Sequence, residues 1–362
     1  MADVQPFRAV RYARASPAVV APPYDVISTD ERERLLAGDP HNVAHLTMTP
    51  DAAEAGRLYR NWLDAGVLVR EDRPAIWVLE QDVNGTDGAP QRRRGIVASL
   101  RAEPYERRVV IPHERTHAEP IESRLRLLRA VRSQLEPLFF LYEGDPPLGA
   151  PDRPPDLEAE GTRLWRLPDG AEVEAFFRER QVLIADGHHR YETSLAFAQE
   201  SGGAEDARVL AVLVSTADPG LLILATHRVF DGRPDLLANP AFAGEPCADV
   251  AEAMARLEAE PAGRAAAIRY TRGGASLVRG TDGELDVQLV ARAGLTGISY
   301  TVDLRDAVGR VDAAGADCAF LLRPTPIEQV FAHARRGEVM PPKTTYFYPK
   351  LTSGLLFHPL DD

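Results

Sequence analysis

The motif Val182-Leu183-Ile184-Ala185-Asp186-Gly187-His188-His189-Arg190-Tyr191 stands near the middle of the chain. Its apolar half predicts a short buried strand, and its second half begins a helix with apolar residues on one face. Gly187 permits a sharp turn and a close approach of the backbone to a ligand. N–H groups at the start of a helix attract anions, and an arginine there suits bidentate contact with phosphate oxygens.

The sequence therefore predicts an anion-binding turn at Asp186–Arg190. Gly187, His188, His189 and Arg190 are the expected phosphate or nucleotide contacts. The purely structural alternative is a capped turn with one buried histidine.

Composition sets the broad class of the protein. Of the 362 residues, 44% are apolar and 27% charged, as in a globular chain with a sizeable core. The net charge of −12 and the pI of about 5.3 argue against general binding to nucleic acid or anionic membranes. Cys247 and Cys318 stand far apart, which fits a reducing compartment and excludes a cysteine zinc site. Because neither a secretory signal nor a membrane-spanning apolar run is visible, we expect a cytoplasmic protein.

Alternating strands and helices predict a mixed α+β fold, without the long βαβ series of a doubly wound sheet. A capping-box pattern at Ser28 begins a short helix, and a second helix starts at about Ala52. Strands at 75–83 and 95–100 are expected to form a hairpin. A helix after Pro120 is expected to end at Pro137.

The domain prediction is an N-terminal α/β subdomain at 1–105 and a second domain at 106–362, with an insertion at about 240–295. The stretch 145–155 is rich in proline, glycine and aspartate and is a linker candidate. Near the C-terminus, the pattern predicts a strand at 319–322 and a helix at 327–334.

A second motif reads Pro112-His113-Glu114-Arg115-Thr116-His117 and matches the zinc-protease pattern HExxH. A zinc-binding helix needs an apolar stripe to hold it, and here two prolines confine a polar segment instead. The motif is better explained by Glu114 as a general base that accepts a hydroxyl proton, with His113 beside it. A solvated charged loop is the structural alternative.

A third motif reads Arg335-Arg336-Gly337-Glu338-Val339-Met340-Pro341-Pro342-Lys343-Thr344-Thr345. A rigid loop that presents Lys343 beside Thr344 and Thr345 suits the neutralisation of phosphate charge. A structural tail with a solvent-exposed lysine explains this segment equally well. No glycine-rich nucleotide loop and no protein-kinase motif set is present.

These three motifs, in this order, resemble those of the archaeal free-serine kinases of the ParB/sulfiredoxin superfamily. The matching positions are His113-Glu114, Asp186–Arg190, Arg336–Val339 and Pro342–Thr345. The whole chain also resembles the bacterial family called domain of unknown function 1015. That second resemblance is carried by Pro22-Pro23-Tyr24-Asp25, Asp186–Arg190 and Pro341–Thr345.

The resemblance implies a ParB/sulfiredoxin-like core with an added N-terminal subdomain and a C-terminal segment packed on the core. It implies a phosphotransferase that phosphorylates the hydroxyl of a small metabolite, with free L-serine as the expected acceptor. The implied donor is ATP, ADP or pyrophosphate with Mg²⁺. In that scheme Glu114 accepts the proton, Asp186 binds Mg²⁺, and Lys343 offsets charge on the bridging oxygen.

Two other functions stay open at this point. One is a ParB-like nucleotide-binding switch without kinase activity, which should carry a basic helix-turn-helix that the sequence does not show. The other is an HExxH zinc metalloprotease. The acceptor, the donor and the oligomeric state are left undetermined.

Overall fold

A computed structural model of the chain describes residues 1–85, 88–114, 116, 118–146, 148–149, 151–167, 169–202, 207–231, 242–294 and 297–360. The chain divides into two compact units. The first unit comprises Met1–Leu222 and Pro349–Asp362, and the second comprises Ile223–Tyr348. The chain therefore leaves the first unit at Leu222 and returns to it at Pro349.

Short strands and helices alternate irregularly in the first unit. Its strands are β1 (Val4–Gln5), β2 (Val10–Tyr12), β3 (Leu68–Arg70), β4 (Trp77–Asn84), β5 (Pro90–Arg101), β6 (Val110–Ile111), β7 (Ser133–Gln134), β8 (Leu138–Tyr142), β9 (Leu157–Ala159), β10 (Thr162–Arg166), β11 (Val182–Asp186) and β12 (Arg208–Ser215), with His358–Pro359 near the C-terminus. Its helices are α1 (Thr29–Ala37), α2 (Ala44–Thr47), α3 (Ala52–Asp64), α4 (Ala118–Val131), α5 (Ala171–Phe177) and α6 (His188–Glu200), with a 3₁₀ turn at Tyr105–Arg107.

A large mixed sheet organises this unit. Its strand order is β6-β11-β8-β12-β5-β4-β10-β9, and β1 also pairs with β5. Strand β11 is parallel to β6 and antiparallel to β8, whereas β8 is parallel to β12. The predicted strand at the central motif is therefore an inner, buried strand, and the predicted mixed α+β class is confirmed.

The two faces of this sheet differ in character. One face is an apolar core in which Ile96 and Leu100 of β5 pack with Phe140, Ile184 and helical residues such as Tyr191. Because side chains alternate along a strand, Arg93 of β5 lies on the opposite face. Gln81 is its Cα partner on β4 and shares that face. The second face therefore carries buried polar groups as well as apolar ones.

Local signals account for several helix ends in this unit. The Ser28 side chain accepts a hydrogen bond from the backbone N–H of Glu31, as predicted, and the Asp51 side chain caps α3 in the same way. Helix α4 differs from the prediction, because Pro120 lies inside its first turn, where a proline needs no N–H donor. It ends at Val131, well before Pro137, because Arg132 adopts a φ of +58° and β7 follows.

The second unit contains its own sheet and helices. Its strands are β13 (Leu222–Leu224), β14 (His227–Phe230), β15 (Glu245–Pro246), β16 (Arg264–Thr271), β17 (Gly274–Asp282), β18 (Ile298–Thr301), β19 (Cys318–Leu321) and β20 (Tyr346–Tyr348). Its helices are α7 (Val250–Ala259), α8 (Asp286–Ala291), α9 (Leu304–Asp312) and α10 (Ile327–Arg335). The sheet order is β15-β17-β16-β19-β14-β18, and its core includes Val229, Ile268 and Leu321.

The compact units do not follow the division predicted near residue 105. Strand β5, which lies before that position, pairs along six residues with β12, which lies after it. Both strands therefore belong to one sheet, and the proline-rich stretch at 145–155 lies within the first unit. Among the described residues, no helix is long and apolar enough to cross a bilayer.

Candidate functional site

The central motif forms the predicted strand, turn and helix. β11 ends at Asp186, Gly187 adopts a φ of +97°, and α6 begins at His188 with no side-chain cap on its first N–H groups. A Cβ atom on Gly187 would stand 3.1 Å from Leu138 and 3.2 Å from a guanidinium nitrogen of Arg190. Both the backbone angle and the space therefore require glycine here.

Asp186 lies between two cations at this turn. Its carboxylate accepts hydrogen bonds from the Lys350 ammonium at 2.9 Å and from the Arg190 guanidinium at 3.1 Å. Burial favours the neutral acid, but the charges of Lys350 and Arg190 outweigh it and lower the pKa of Asp186. The carboxylate is therefore ionised and the turn is held by a buried three-charge network.

Arg190 is an internal part of this turn and is 9% exposed. One terminal nitrogen donates to the backbone oxygen of Pro137 at 2.7 Å, and the other contacts Asp186. Burial alone would lower the pKa of Arg190, but the carboxylates of Glu136 and Asp186 raise it above its ordinary value. Its contacts order the turn, and its expected role as a phosphate clamp stays a prediction.

The His-Glu motif meets the turn through His113. The rings of His113 and His188 are 4.7 Å apart, edge to face, and the backbone N–H of His113 lies 3.4 Å from Nε2 of His188. Nδ1 of His113 lies 2.7 Å from the carbonyl oxygen of Ile184, which marks it as a donor. The structure thus brings together two motifs that are about seventy residues apart in the chain.

Burial makes these two histidines neutral. It lowers the pKa of His113 to about 4, and it lowers the pKa of His188 well below its ordinary value. The sequence predicts His188 as one of the phosphate contacts at the turn. In the structure it is a neutral ring that donates or accepts hydrogen bonds without adding positive charge.

Glu114 follows His113 directly and is half-buried. Its role as a base stays a prediction, since its distance to a reacting hydroxyl is not fixed by these contacts. Arg115 and His117 lie outside the described residues, so the second histidine of the HExxH pattern has no position here. Among the described residues, no group of three or more histidine, cysteine, aspartate or glutamate side chains is arranged to hold a metal ion.

The loop Pro22–Asp25, which had no interpretation from the sequence, approaches the same turn. The backbone N–H of Tyr24 donates to the buried carboxyl of Glu136 at 3.0 Å, and the Arg124 guanidinium stacks on the Tyr24 ring at 4.1 Å. Burial raises the pKa of Glu136, against the opposing charge of Arg190. Buried interacting groups therefore continue from Arg190 through Glu136 to Tyr24.

The lysine-threonine segment lies in the second unit. Lys343 is exposed and has a φ of +55°, and the Thr344 hydroxyl donates to the backbone oxygen of Pro341 at 2.6 Å. Arg228 donates to the backbone oxygens of Pro342 and Lys343 at 3.1 and 2.9 Å. The loop is therefore held by local bonds, and the phosphate role expected for Lys343, Thr344 and Thr345 stays a prediction.

No sequence pattern indicated Lys350 or Glu136 as residues of the candidate site. Both side chains are largely buried and contact or charge-couple to residues of the central turn. Lys350 stands between Pro349 and Leu351, and nothing in that stretch of sequence signals that its side chain is buried. Glu136, directly before Pro137, was visible only as the end of a predicted helix.

Comparison with known proteins identifies the family. The family model described as "Protein of unknown function (DUF1015)" matches residues 4–288. The chain belongs to this family. No curated protein matches the sequence of this DUF1015 member.

Several solved structures are similar to this DUF1015 chain at low identity. A free serine kinase in complex with AMP is 17% identical, with a TM-score of 0.42 over 68% of this chain and 89% of that chain. SbnI with a C-terminal truncation, from Staphylococcus aureus, is 14% identical, with a TM-score of 0.42 over 70% and 87%. A conserved hypothetical protein from Pyrococcus furiosus is 19% identical, with a TM-score of 0.39 over 66% and 87%.

Proposed function

We propose that this protein is a phosphotransferase that phosphorylates the hydroxyl of a small metabolite, with free L-serine as the first acceptor to test. The donor is ATP, ADP or pyrophosphate. One observation carries the proposal: the uncapped N-terminus of α6, the glycine turn before it and the His-Glu motif meet at one place.

The start of α6 supplies the phosphate contacts in this proposal. Its first N–H groups have no side-chain cap, and the helix dipole favours negative charge there. Gly187 gives the turn its positive φ, at a place where a Cβ atom would crowd Leu138 and Arg190. Neutral His188 adds a hydrogen-bonding ring, and Lys350 adds a positive charge beside Asp186.

Glu114 is the proposed base towards the acceptor hydroxyl. It follows His113, whose backbone and ring both contact His188 at the helix start. A base in this position takes the hydroxyl proton as the acceptor oxygen attacks the terminal phosphorus of the donor. The new O–P bond forms as the bond from that phosphorus to the bridging oxygen of the donor breaks, and ADP, AMP or phosphate leaves. Positioning of the acceptor and neutralisation of the phosphate charge account for the remaining rate enhancement.

Asp186 does not fit a magnesium ligand in its present contacts. Its two oxygens accept hydrogen bonds from Lys350 and Arg190, and the described residues offer no cluster of carboxylates around it. A metal ion at this carboxylate would compete with the two cations that Asp186 already contacts. The proposed chemistry therefore assigns no metal ligand to the chain.

The test is a matrix of hydroxylated metabolites against ATP, ADP, CTP and pyrophosphate, with and without Mg²⁺, followed by phosphorus NMR. We expect a phosphomonoester signal with L-serine and at least one donor. Donor binding without any product across the matrix would contradict the proposal and favour a nucleotide-binding switch. Stoichiometric zinc that is lost in His117→Ala would instead support the metalloprotease.

A further inference from the structure

Arg93 is a buried cation that the proposed reaction does not use. It lies on β5 and is 0% exposed. One terminal nitrogen donates to the side-chain oxygen of Gln81 at 2.5 Å, and the guanidinium carbon lies 4.6 Å from the centre of the Phe139 ring. Among the described residues, its Nε and its other terminal nitrogen have no hydrogen-bond partner.

The charge on Arg93 persists despite this burial. Burial lowers its pKa to about 9, so the guanidinium is protonated at neutral pH. Asp218 is the nearby carboxylate, but its oxygens accept from the backbone N–H groups of Arg94 and Gly220 at 3.1 and 2.9 Å. Arg93 thus keeps two donors unsatisfied, and buried donors without partners strongly favour an anion beside them.

Other arginines of the first unit show what is unusual here. Arg94, the next residue, makes two contacts to the Glu80 carboxylate, the shorter at 2.6 Å. Buried Arg190 has both a carboxylate and a backbone oxygen as acceptors. Arg93 instead has one neutral amide and one aromatic face. The charge of Asp218 acts on Arg93, but among the described residues no acceptor reaches its Nε or its second terminal nitrogen.

The position of Arg93 connects it to the candidate site. Phe139, under its guanidinium, is the Cα partner of Asp186 in the β8–β11 pair. Gln81, its hydrogen-bond acceptor, donates in turn to the backbone oxygen of Lys350 at 2.9 Å. Lys350 contacts Asp186 through its ammonium. Arg93 is thus connected to the turn along two separate paths, one through Phe139 and one through Gln81 and Lys350.

We propose that Arg93 forms an oxyanion-binding subsite of the first unit, which takes a phosphate or carboxylate group of a small molecule. Nε and the unpartnered terminal nitrogen of the guanidinium point in different directions, and each can donate a charge-assisted hydrogen bond to a phosphate or carboxylate oxygen. Because Arg93 is enclosed, the anion reaches it by displacing a neighbouring side chain, and side-chain movement of this kind is common on binding. This subsite does not depend on the proposed transferase activity, because it binds an anion whether or not a reaction follows.

The experiment measures anion binding to the full chain at constant ionic strength, with chloride as the reference anion. Inorganic phosphate and pyrophosphate form one arm, and acetate and L-serine form the other. The Kd is taken from calorimetry and from the concentration dependence of Tm. We expect saturable stabilisation in one arm, and loss of about tenfold or more in affinity in Arg93→Met. The arm that responds identifies phosphate or carboxylate as the group bound.

Arg94→Met is the matched control, since it removes an adjacent arginine that already has a carboxylate partner, and its affinity should equal that of the wild type. Arg93→Lys keeps the charge but not the delocalised guanidinium with its separate donor nitrogens, and it should bind several-fold more weakly. If Arg93→Met does not fold, an unchanged affinity in Arg93→Lys overturns the proposal. So does a wild type that no anion stabilises, or a folded Arg93→Met with wild-type affinity. The absence of product in the reaction matrix would not affect the conclusion from these binding measurements. The absence of anion binding at Arg93 would likewise not affect the proposed reaction.

Discussion

The turn at Asp186–Arg190 in the first unit and the segment Arg335–Glu338 in the second unit are built from the same kinds of residue. Each combines a glycine of positive φ with an arginine and a carboxylate, at the N-terminus of α6 in the first case and at the C-terminus of α10 in the second. Arg336 contacts Glu338 through two 2.8 Å bonds, and about half of each side chain is exposed. The Asp186 and Arg190 side chains are 18% and 10% exposed.

Burial separates the two regions. An exposed arginine–glutamate pair is solvated and contributes little to stability. The Arg336–Glu338 pair therefore does little more than follow the end of α10. Around Asp186, the same interaction occurs with little water and is coupled to Lys350 and to two neutral histidines. Removing the carboxylate there leaves the buried charges of Lys350 and Arg190 facing each other. A charged motif therefore becomes a chemical site through its surroundings more than through its residue types.

The largest expected effect is on turnover. If Glu114 is the base, Glu114→Gln should lower kcat by roughly 10²–10⁴ while the fold and donor binding are kept. Glu338→Gln, the matched change in the second region, should leave kcat unaltered. Kinetics with the acceptor and donor found by the reaction matrix measure both. Normal turnover in Glu114→Gln would transfer the proton-accepting role to another residue, with Asp186 the first candidate.

The next effect is on stability. Asp186→Asn should lower the free energy of unfolding by about 3–5 kcal/mol, because Lys350 and Arg190 then face each other without the carboxylate. Glu338→Gln should shift the denaturation midpoint only slightly, since the exposed contact with Arg336 contributes little and a glutamine amide can still hydrogen-bond to His333. Urea denaturation of both variants makes the comparison. Equal midpoints for the two would remove the distinction drawn between these regions.

Glycine substitution tests the two turns directly. Gly187→Ala should lower the free energy of unfolding by about 2–3 kcal/mol, because it combines a positive φ with contacts at 3.1 and 3.2 Å. Gly337→Ala should lower it by about 1 kcal/mol, since its φ is +74° but nothing stands within 4 Å of the added carbon. Thermal unfolding resolves the difference. A larger loss at Gly337 would mean that the space around Gly187 is not restrictive.

The smallest effect is a pH dependence that belongs to the first region. The pKa of His113 is lowered from 6.5 to about 4, so the unfolded chain binds a proton in that window and the folded chain does not. Stability is therefore full above about pH 6.5 and falls as the pH drops towards 4, by about 2 kcal/mol near pH 5. Denaturation curves across this range should show the loss in the wild type and a smaller loss in His113→Gln. A flat profile for the wild type would mean that His113 is charged in the fold.

Much of the first region could be predicted because its signals are local. The apolar run, Gly187 and the helical pattern after it define a strand, a turn and a helix within ten residues. Elsewhere in the first unit, Ser28 and Asp51 mark the starts of α1 and α3 through hydrogen bonds to backbone N–H groups at most three residues further on. Such signals depend on backbone sterics and nearest hydrogen bonds, which sequence spacing expresses directly.

The rest depended on contacts between distant residues. Lys350 pairs with Asp186 across 164 positions, and no periodicity marks that partnership. The neutral state of His188 follows from burial, which its polar neighbours in the sequence conceal. The division into compact units likewise reflects strand pairing between β5 and β12, which composition does not report.

The return of the chain to the first unit at Pro349 has a consequence for synthesis. Lys350 leaves the ribosome 164 residues after Asp186, which at about 5–20 residues per second is a delay of roughly 8–33 s. Throughout that interval the nascent first unit lacks the ammonium that shares Asp186 with Arg190. The charge network of the turn is therefore completed only after the whole second unit has been synthesised.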